Sequence, residues 1–145
     1  DLAAKAAAAL AAIDAGARRV VVHVGAPDEA AHARDAGAKV AAIEAADALL
    51  LAPLAAALRG RARSHDRGAA TLRVCADHGC DPATGEHDGA PVPCVLWSDA
   101  ADALDTARER RMTERAVAGL AIAELPAGGL WPVERDARAR RAVAA

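Results

Sequence analysis

The sequence has no Phe and no Tyr, and only two Trp and one Met in 145 residues. That scarcity excludes a core built on aromatic area. The 54% apolar fraction must instead come from Ala, Val and Leu packed close, a composition that suits part of a larger body as well as a small domain. An excess of one charge is also missing: 18 Lys and Arg stand against 20 Asp and Glu, a formal net charge of -2. No field of that size draws in nucleic acid or an anionic membrane. Basic clusters at 108–115 and 135–141 are interleaved with acids and read as solvated helix faces. No stretch reads as a membrane span, and no basic start followed by an apolar run marks a leader. Three cysteines, an odd number, make no disulfide framework, so a reduced, cytoplasmic protein is expected. The first residue is Asp rather than Met, which suggests a processed or incomplete chain.

What is present is a succession of helical and extended patterns. Residues 1–14 are rich in Ala, and Leu2, Ala6, Ala9 and Ile13 recur at helical spacing, with Gly16 placed to end the helix. Arg18 to Gly25 (RRVVVHVG) is a β-branched run expected to be a buried strand that Pro27 closes. A long helix is expected over 36–58, with Val40, Ile43, Leu50, Leu54 and Leu58 on one side and a kink or a new segment at Pro53. Residues 59–69 read as a charged loop. Two further strands are expected at Thr71–Ala76 and Val92–Trp97, with a loop between them, then a helix near 100–119 and an irregular tail. Strands alternating with helices predict an α/β architecture, mostly parallel, with helices flanking the sheet. A catalytic unit over 1–107 and a tail over 108–145 divide the chain.

Chemistry-bearing residues gather after the predicted strands, where ligands bind in open α/β sheets. Asp28 and His32 stand four apart, so a helical turn brings a carboxylate and an imidazole to one side, able to share a cation. Asp77 and His78 follow the second strand, and His87 lies in the same loop between Gly85 and Gly89. Mixed carboxylate and imidazole donors suit Mn²⁺ or Zn²⁺, and Mg²⁺ less well. Two such ions about 4 Å apart would clamp the oxygens of a phosphoryl transfer. His23 reads as a structural residue and His65 as solvated. A structural zinc built from Cys75, Cys80 and Cys94 with His78 or His87 fails on cysteine spacing.

The segment VVVHVGAPDEAAH, with His23, Val24, Ala26, Pro27, Asp28, Glu29, Ala30 and His32, closely resembles the signature of the archaeal-type cofactor-independent phosphoglycerate mutases of the alkaline phosphatase superfamily. VCADHG, with Asp77 and His78, resembles their second motif. EHDGAPVPCVLW, with His87 and Pro91-Val92-Pro93, resembles their third. The resemblance runs over about residues 1–97. It implies a partial alkaline-phosphatase-like sheet and two divalent metal ions with no organic cofactor. Asp28, His32 and His87 would hold one ion, and Asp77 and His78 the other.

It further implies that a phosphoserine intermediate carries the phosphoryl group between the hydroxyls of a small substrate, interconverting 2- and 3-phosphoglycerate. The family's nucleophilic Ser and a further Asp ligand lie upstream of the matched segments. The only serines here are Ser64 and Ser98, and neither matches that nucleophile. The resemblance therefore casts the chain as a C-terminal part of the mutase, inactive by itself. Other superfamily phosphotransferases or phosphatases, a homoserine kinase-like enzyme among them, and a non-catalytic metal-binding module are the alternatives.

Overall fold

The computed structural model describes residues 1–62 and 70–98. The helix expected near 100–119, the tail over 108–145, Ser64 and His65 lie outside the described residues. Within them the chain mixes helix and strand: α1 (Leu2–Asp14), α2 (Ala26–His32), α3 (Ala36–Ala46), a π-helical turn (Asp47–Leu51) and α4 (Ala52–Ala62). These are followed by β1 (Thr71–Cys75), β2 (Gly79–Asp81), β3 (Glu86–Asp88) and β4 (Cys94–Ser98).

α1 begins at Asp1, whose Oδ1 accepts from the Ala4 N–H (3.1 Å). It ends as expected at Gly16, which takes the left-handed conformation (φ 96°) while Gly16 and Ala17 N–H donate back to Ile13 and Ala12. α2 ends with the same pattern of bonds, Arg34 to Ala31 and Asp35 to Ala30, but the left-handed residue is Arg34 (φ 57°). Asp35 then caps α3 by accepting from the Ala38 N–H (2.8 Å). One residue thus closes one helix and opens the next, so α2 and α3 are held at a tight corner.

A new helical segment opens at Pro53, one of the two outcomes expected of it: α4 begins at Ala52, after the π turn. A proline leaves the carbonyl four residues before it without a donor and crowds it. The chain answers by widening one turn earlier: the Ala52 N–H bonds Asp47 O, five residues back, in the π turn. Helix continues from Ala36 to Arg61, 26 residues that include an 18-residue window of mean hydropathy 1.8. By length and composition it could cross a membrane, which corrects the expectation that no stretch reads as a span. Here α3 packs on α2, and the π turn and α4 pack on α1, with 11% of the apolar window buried. Leu50, Leu54 and Leu58 are buried as expected, whereas Val40 and Ile43 are about half exposed (55% and 52%).

The core is small and joins Ala6 and Ala9 of α1 to Leu50 and Leu54, with Val20, Val22 and Val24 against it. Those valines lie in the segment Arg18–Gly25, which is not the buried strand expected. It keeps the alternation of a strand, with Val21 76% exposed between its inward neighbours, but it has no strand partner among the described residues. Without a neighbouring ladder the segment stays extended coil, steadied where Lys5 Nζ donates to the His23 carbonyl (2.7 Å).

The pairings correct the expected parallel arrangement. β1 pairs antiparallel with β4, Thr71 opposite Ser98 and Cys75 opposite Cys94, and β2 pairs antiparallel with β3. The connection from β1 to β4 is itself a hairpin with no helix in it. Parallel neighbours need a crossover, usually helical, and a nested hairpin can only return the chain antiparallel. The expected loop after Asp77 is that hairpin. Arg59 of α4 lies over the Trp97 ring of β4 at 5.9 Å, tying helix to strand.

Candidate metal centre

The sequence around Asp28 dictates a helix start. Gly25 is its N-cap and Pro27 lies in the first turn, where its missing N–H costs nothing. Asp28 falls in the first turn and His32 ends the helix, one turn later on the same face. His32 Nε2 lies 3.4 Å from Asp28 Oδ2.

The third group arrives from the β2–β3 hairpin, docked on the far end of α2. His32 Nδ1 donates to the Gly85 carbonyl (2.8 Å), Arg34 Nε donates to the Thr84 carbonyl (3.1 Å), and Lys39 Nζ donates to the Cys80 carbonyl. Gly85 is required at this junction. It has φ 75°, and a Cβ there would stand 3.2 Å from the His32 carbonyl oxygen. So docked, the hairpin sets His87 Nε2 3.0 Å from His32 Nε2 and 3.3 Å from Asp28 Oδ1.

These spacings have a chemical meaning. A carbonyl oxygen only accepts, so His32 Nδ1 carries the ring proton and Nε2 of the neutral imidazole is a bare lone pair. Two imidazole nitrogens 3.0 Å apart repel unless a proton or a cation lies between them, and the carboxylate opposite favours the cation. Donors 2.0–2.1 Å from a tetrahedral ion stand roughly 3.3 Å from one another. The 3.3 Å from His87 Nε2 to Asp28 Oδ1 and the 3.0 Å between the imidazole nitrogens lie near that edge length, while the 3.4 Å from His32 Nε2 is to the other carboxylate oxygen, Oδ2. Asp28 Oδ1 is sealed from solvent and makes no hydrogen bond with a described residue, as an oxygen kept for an ion would be. Burial pushes the Asp28 carboxyl up, but the adjacent Cys80 thiol and the imidazoles of His32, His87 and His78 outweigh it and hold the pKa below the ordinary value.

Asp77 and His78 are placed differently. They are neighbours in the turn after β1, and His78 Nε2 lies 3.5 Å from Asp77 Oδ2. His78 Nδ1 donates to the Gly79 carbonyl (3.2 Å), and its ring stacks on His87 with centroids 3.8 Å apart. Of the five predicted ligands the structure therefore gathers Asp28, His32 and His87, and sets Asp77 and His78 alongside as a separate pair. His23 is exposed.

Sequence reasoning missed Cys80. The ligand atoms of Asp28, His32, Cys80 and His87 all lie within 4.8 Å of one another, and they form a group that could hold a metal ion. Cys80 is directly opposite His87 in the hairpin, and cross-strand partners show their side chains on one face. Its thiol pKa is raised by burial first and by the Asp28 carboxylate next. The signal was available: Cys80 and His87 flank the segment DPATGE symmetrically, but it is visible only if the segment is read as a hairpin rather than a loop.

The family model described as "Metalloenzyme superfamily" matches residues 1–125. The chain belongs to the metalloenzyme superfamily. Within that superfamily, it is 42% identical over 82 residues to "2,3-bisphosphoglycerate-independent phosphoglycerate mutase 2" of Methanothermobacter thermautotrophicus. That match covers 57% of this chain and 19% of the relative, so the chain spans about a fifth of the curated relative's length. No solved structure matches. Membership of a metalloenzyme superfamily and the Asp28, His32, Cys80 and His87 group together point to divalent metal.

Proposed function

We propose that this chain supplies one metal site, and part of a second, to a cofactor-independent phosphoglycerate mutase that interconverts 2- and 3-phosphoglycerate. The observation that carries the reading is the convergence of the Asp28 carboxylate, His32 and His87 within 3.4 Å of one another, in a chain 42% identical over 82 residues to a protein named as such a mutase. In this reading Asp28, His32 and His87 hold one divalent ion, Mn²⁺ or Zn²⁺, and Asp77 and His78 begin the second site. Ions held there would neutralise phosphoryl oxygens and lower the pKa of an attacking hydroxyl. The residues of this chain position them. The Gly85 carbonyl fixes the tautomer and the aim of His32, and the stacked His78 ring limits rotation of His87.

The nucleophile is not assigned within the chain. Ser98 ends β4, away from the donor cluster in sequence, and Ser64 lies outside the described residues. The reading therefore requires a serine and further ligands from additional sequence, and it predicts no turnover by this chain alone. It also expects additional strands to lie parallel beside the extended segment 18–25, giving the mostly parallel alkaline-phosphatase-like sheet. A small phosphorylated substrate in the cytoplasm, and no nucleic acid, completes it. The test is conversion of 3-phosphoglycerate, coupled through enolase, by the complete polypeptide with Mn²⁺ or Zn²⁺. Turnover abolished by His87→Ala supports the mutase, and no turnover with any divalent ion removes it.

A further inference from the structure

A proposal for Cys80 follows from its place in the donor cluster and rests on the metal-site reading above. Its residue is 7% exposed, its strand neighbour is His87, and its ligand atom belongs to the one group within 4.8 Å that also contains Asp28 and His32. Three hard or borderline donors leave one corner of a tetrahedron open, and the thiol is the fourth donor from this chain on that side. The Cys80 carbonyl is anchored by Lys39 Nζ on α3, so β2 is held against the helical corner that carries His32. Asp28 Oδ1, sealed and without a hydrogen bond from a described residue, sits in the same cluster.

We infer that Cys80 is a fourth ligand of this site, making it an Asp-His-His-Cys centre that takes a thiophilic divalent ion such as Zn²⁺ in preference to Mn²⁺ or Mg²⁺. On binding, the S–H bond breaks, the proton passes to solvent and a sulfur–metal bond forms. A soft sulfur donor favours Zn²⁺, while Mg²⁺ and Mn²⁺ prefer oxygen shells. With all four corners filled by protein the site would be closed in the resting state, as structural zinc sites are, and Cys80 would have to yield for an oxygen ligand to enter.

Cobalt titration of the full chain tests this, because Co²⁺ reports geometry and sulfur separately. Tetrahedral binding produces visible d–d bands, and a thiolate ligand adds a near-ultraviolet charge-transfer band. Both are expected in the wild type and in a Cys75→Ser/Cys94→Ser variant, whose only thiol among the described residues is Cys80. Cys80→Ser should keep the d–d bands, lose the charge-transfer band and reduce the Zn²⁺ over Mn²⁺ preference by roughly tenfold or more, the low end of what even an outer-sphere change costs. Visible bands without a charge-transfer band in the wild type would overturn the Cys80 assignment and leave the three-ligand site standing. No visible bands at all would overturn both. If Cys80→Ser fails to fold, the Cys75→Ser/Cys94→Ser variant decides alone, since its charge-transfer band has no other described source.

Discussion

Two sets of candidate ligands stand side by side in this fold and differ in what holds them. Asp28, His32 and His87 come from a helix and a hairpin, and each is fixed by contacts made elsewhere. Asp28 is set by the helix start at Gly25 and Pro27, His32 by the Gly85 carbonyl, and His87 by a hairpin tied down through Thr84 and Cys80. Asp77 and His78 come from one turn, where His78 is held by the Gly79 carbonyl and the His87 ring while the Asp77 side chain is 70% exposed. Donors drawn from separate segments and locked in place bind an ion without a further ordering cost, whereas a two-donor set with an exposed carboxylate does not. The first set is accordingly expected to bind metal in this chain alone, and the second only with added ligands.

The largest effect that could break the contrast comes from removing a donor. His32→Ala or His87→Ala should weaken Zn²⁺ or Mn²⁺ binding by about 100-fold or more, while Asp77→Ala should change it by less than about tenfold. Calorimetric titration reads both, and equal losses would erase the distinction. Next in size is Gly85→Ala, which puts a Cβ against the His32 carbonyl at positive φ. It should cost about 1–3 kcal/mol of stability and weaken metal binding through His32, measured by urea unfolding and the same titration.

A smaller effect is expected at Arg34, which accepts a left-handed backbone in order to reach Thr84. Arg34→Ala keeps the strain and loses the bond, at about 1 kcal/mol. Arg34→Gly loses the bond but relieves the backbone, so it should be the more stable of the two. Both variants should show faster amide exchange in β2 and β3.

The smallest effect is electrostatic. The folded-state pKa of Asp28 lies below its ordinary 3.8, so its contribution to the metal-free fold is whole above that pH and is lost as pH falls through the folded value. The stability gap between wild type and Asp28→Asn should therefore close as pH falls below about 4, as urea unfolding across pH would show.

Much of this was legible in the chain as a string. The spacing of Asp28 and His32 with Pro27 before them is a local statement about one helical turn, and local geometry survives into the fold. So did the end of α1 at Gly16. What could not be read was pairing. The valines of 18–25 announce a strand by composition, yet a strand is a relation between two segments, and among the described residues the second is missing. The antiparallel return of β4 and the hairpin that brings Cys80 opposite His87 are likewise facts about register. Spacing rules for zinc motifs discarded Cys80 by comparing it with other cysteines, when its partners were two imidazoles and a carboxylate. Pro53 shows the same limit inside a helix: the lost hydrogen bond was predictable, but the π turn that absorbs it was one of several answers.

The central claim is that a single ion joins α2 to the β2–β3 hairpin. Anomalous diffraction from crystals grown with Zn²⁺ tests it most directly. The account predicts one strong peak about 2.0–2.2 Å from an Asp28 carboxylate oxygen, His32 Nε2 and His87 Nε2. Zinc bound elsewhere, with those three atoms drawn apart, would contradict it.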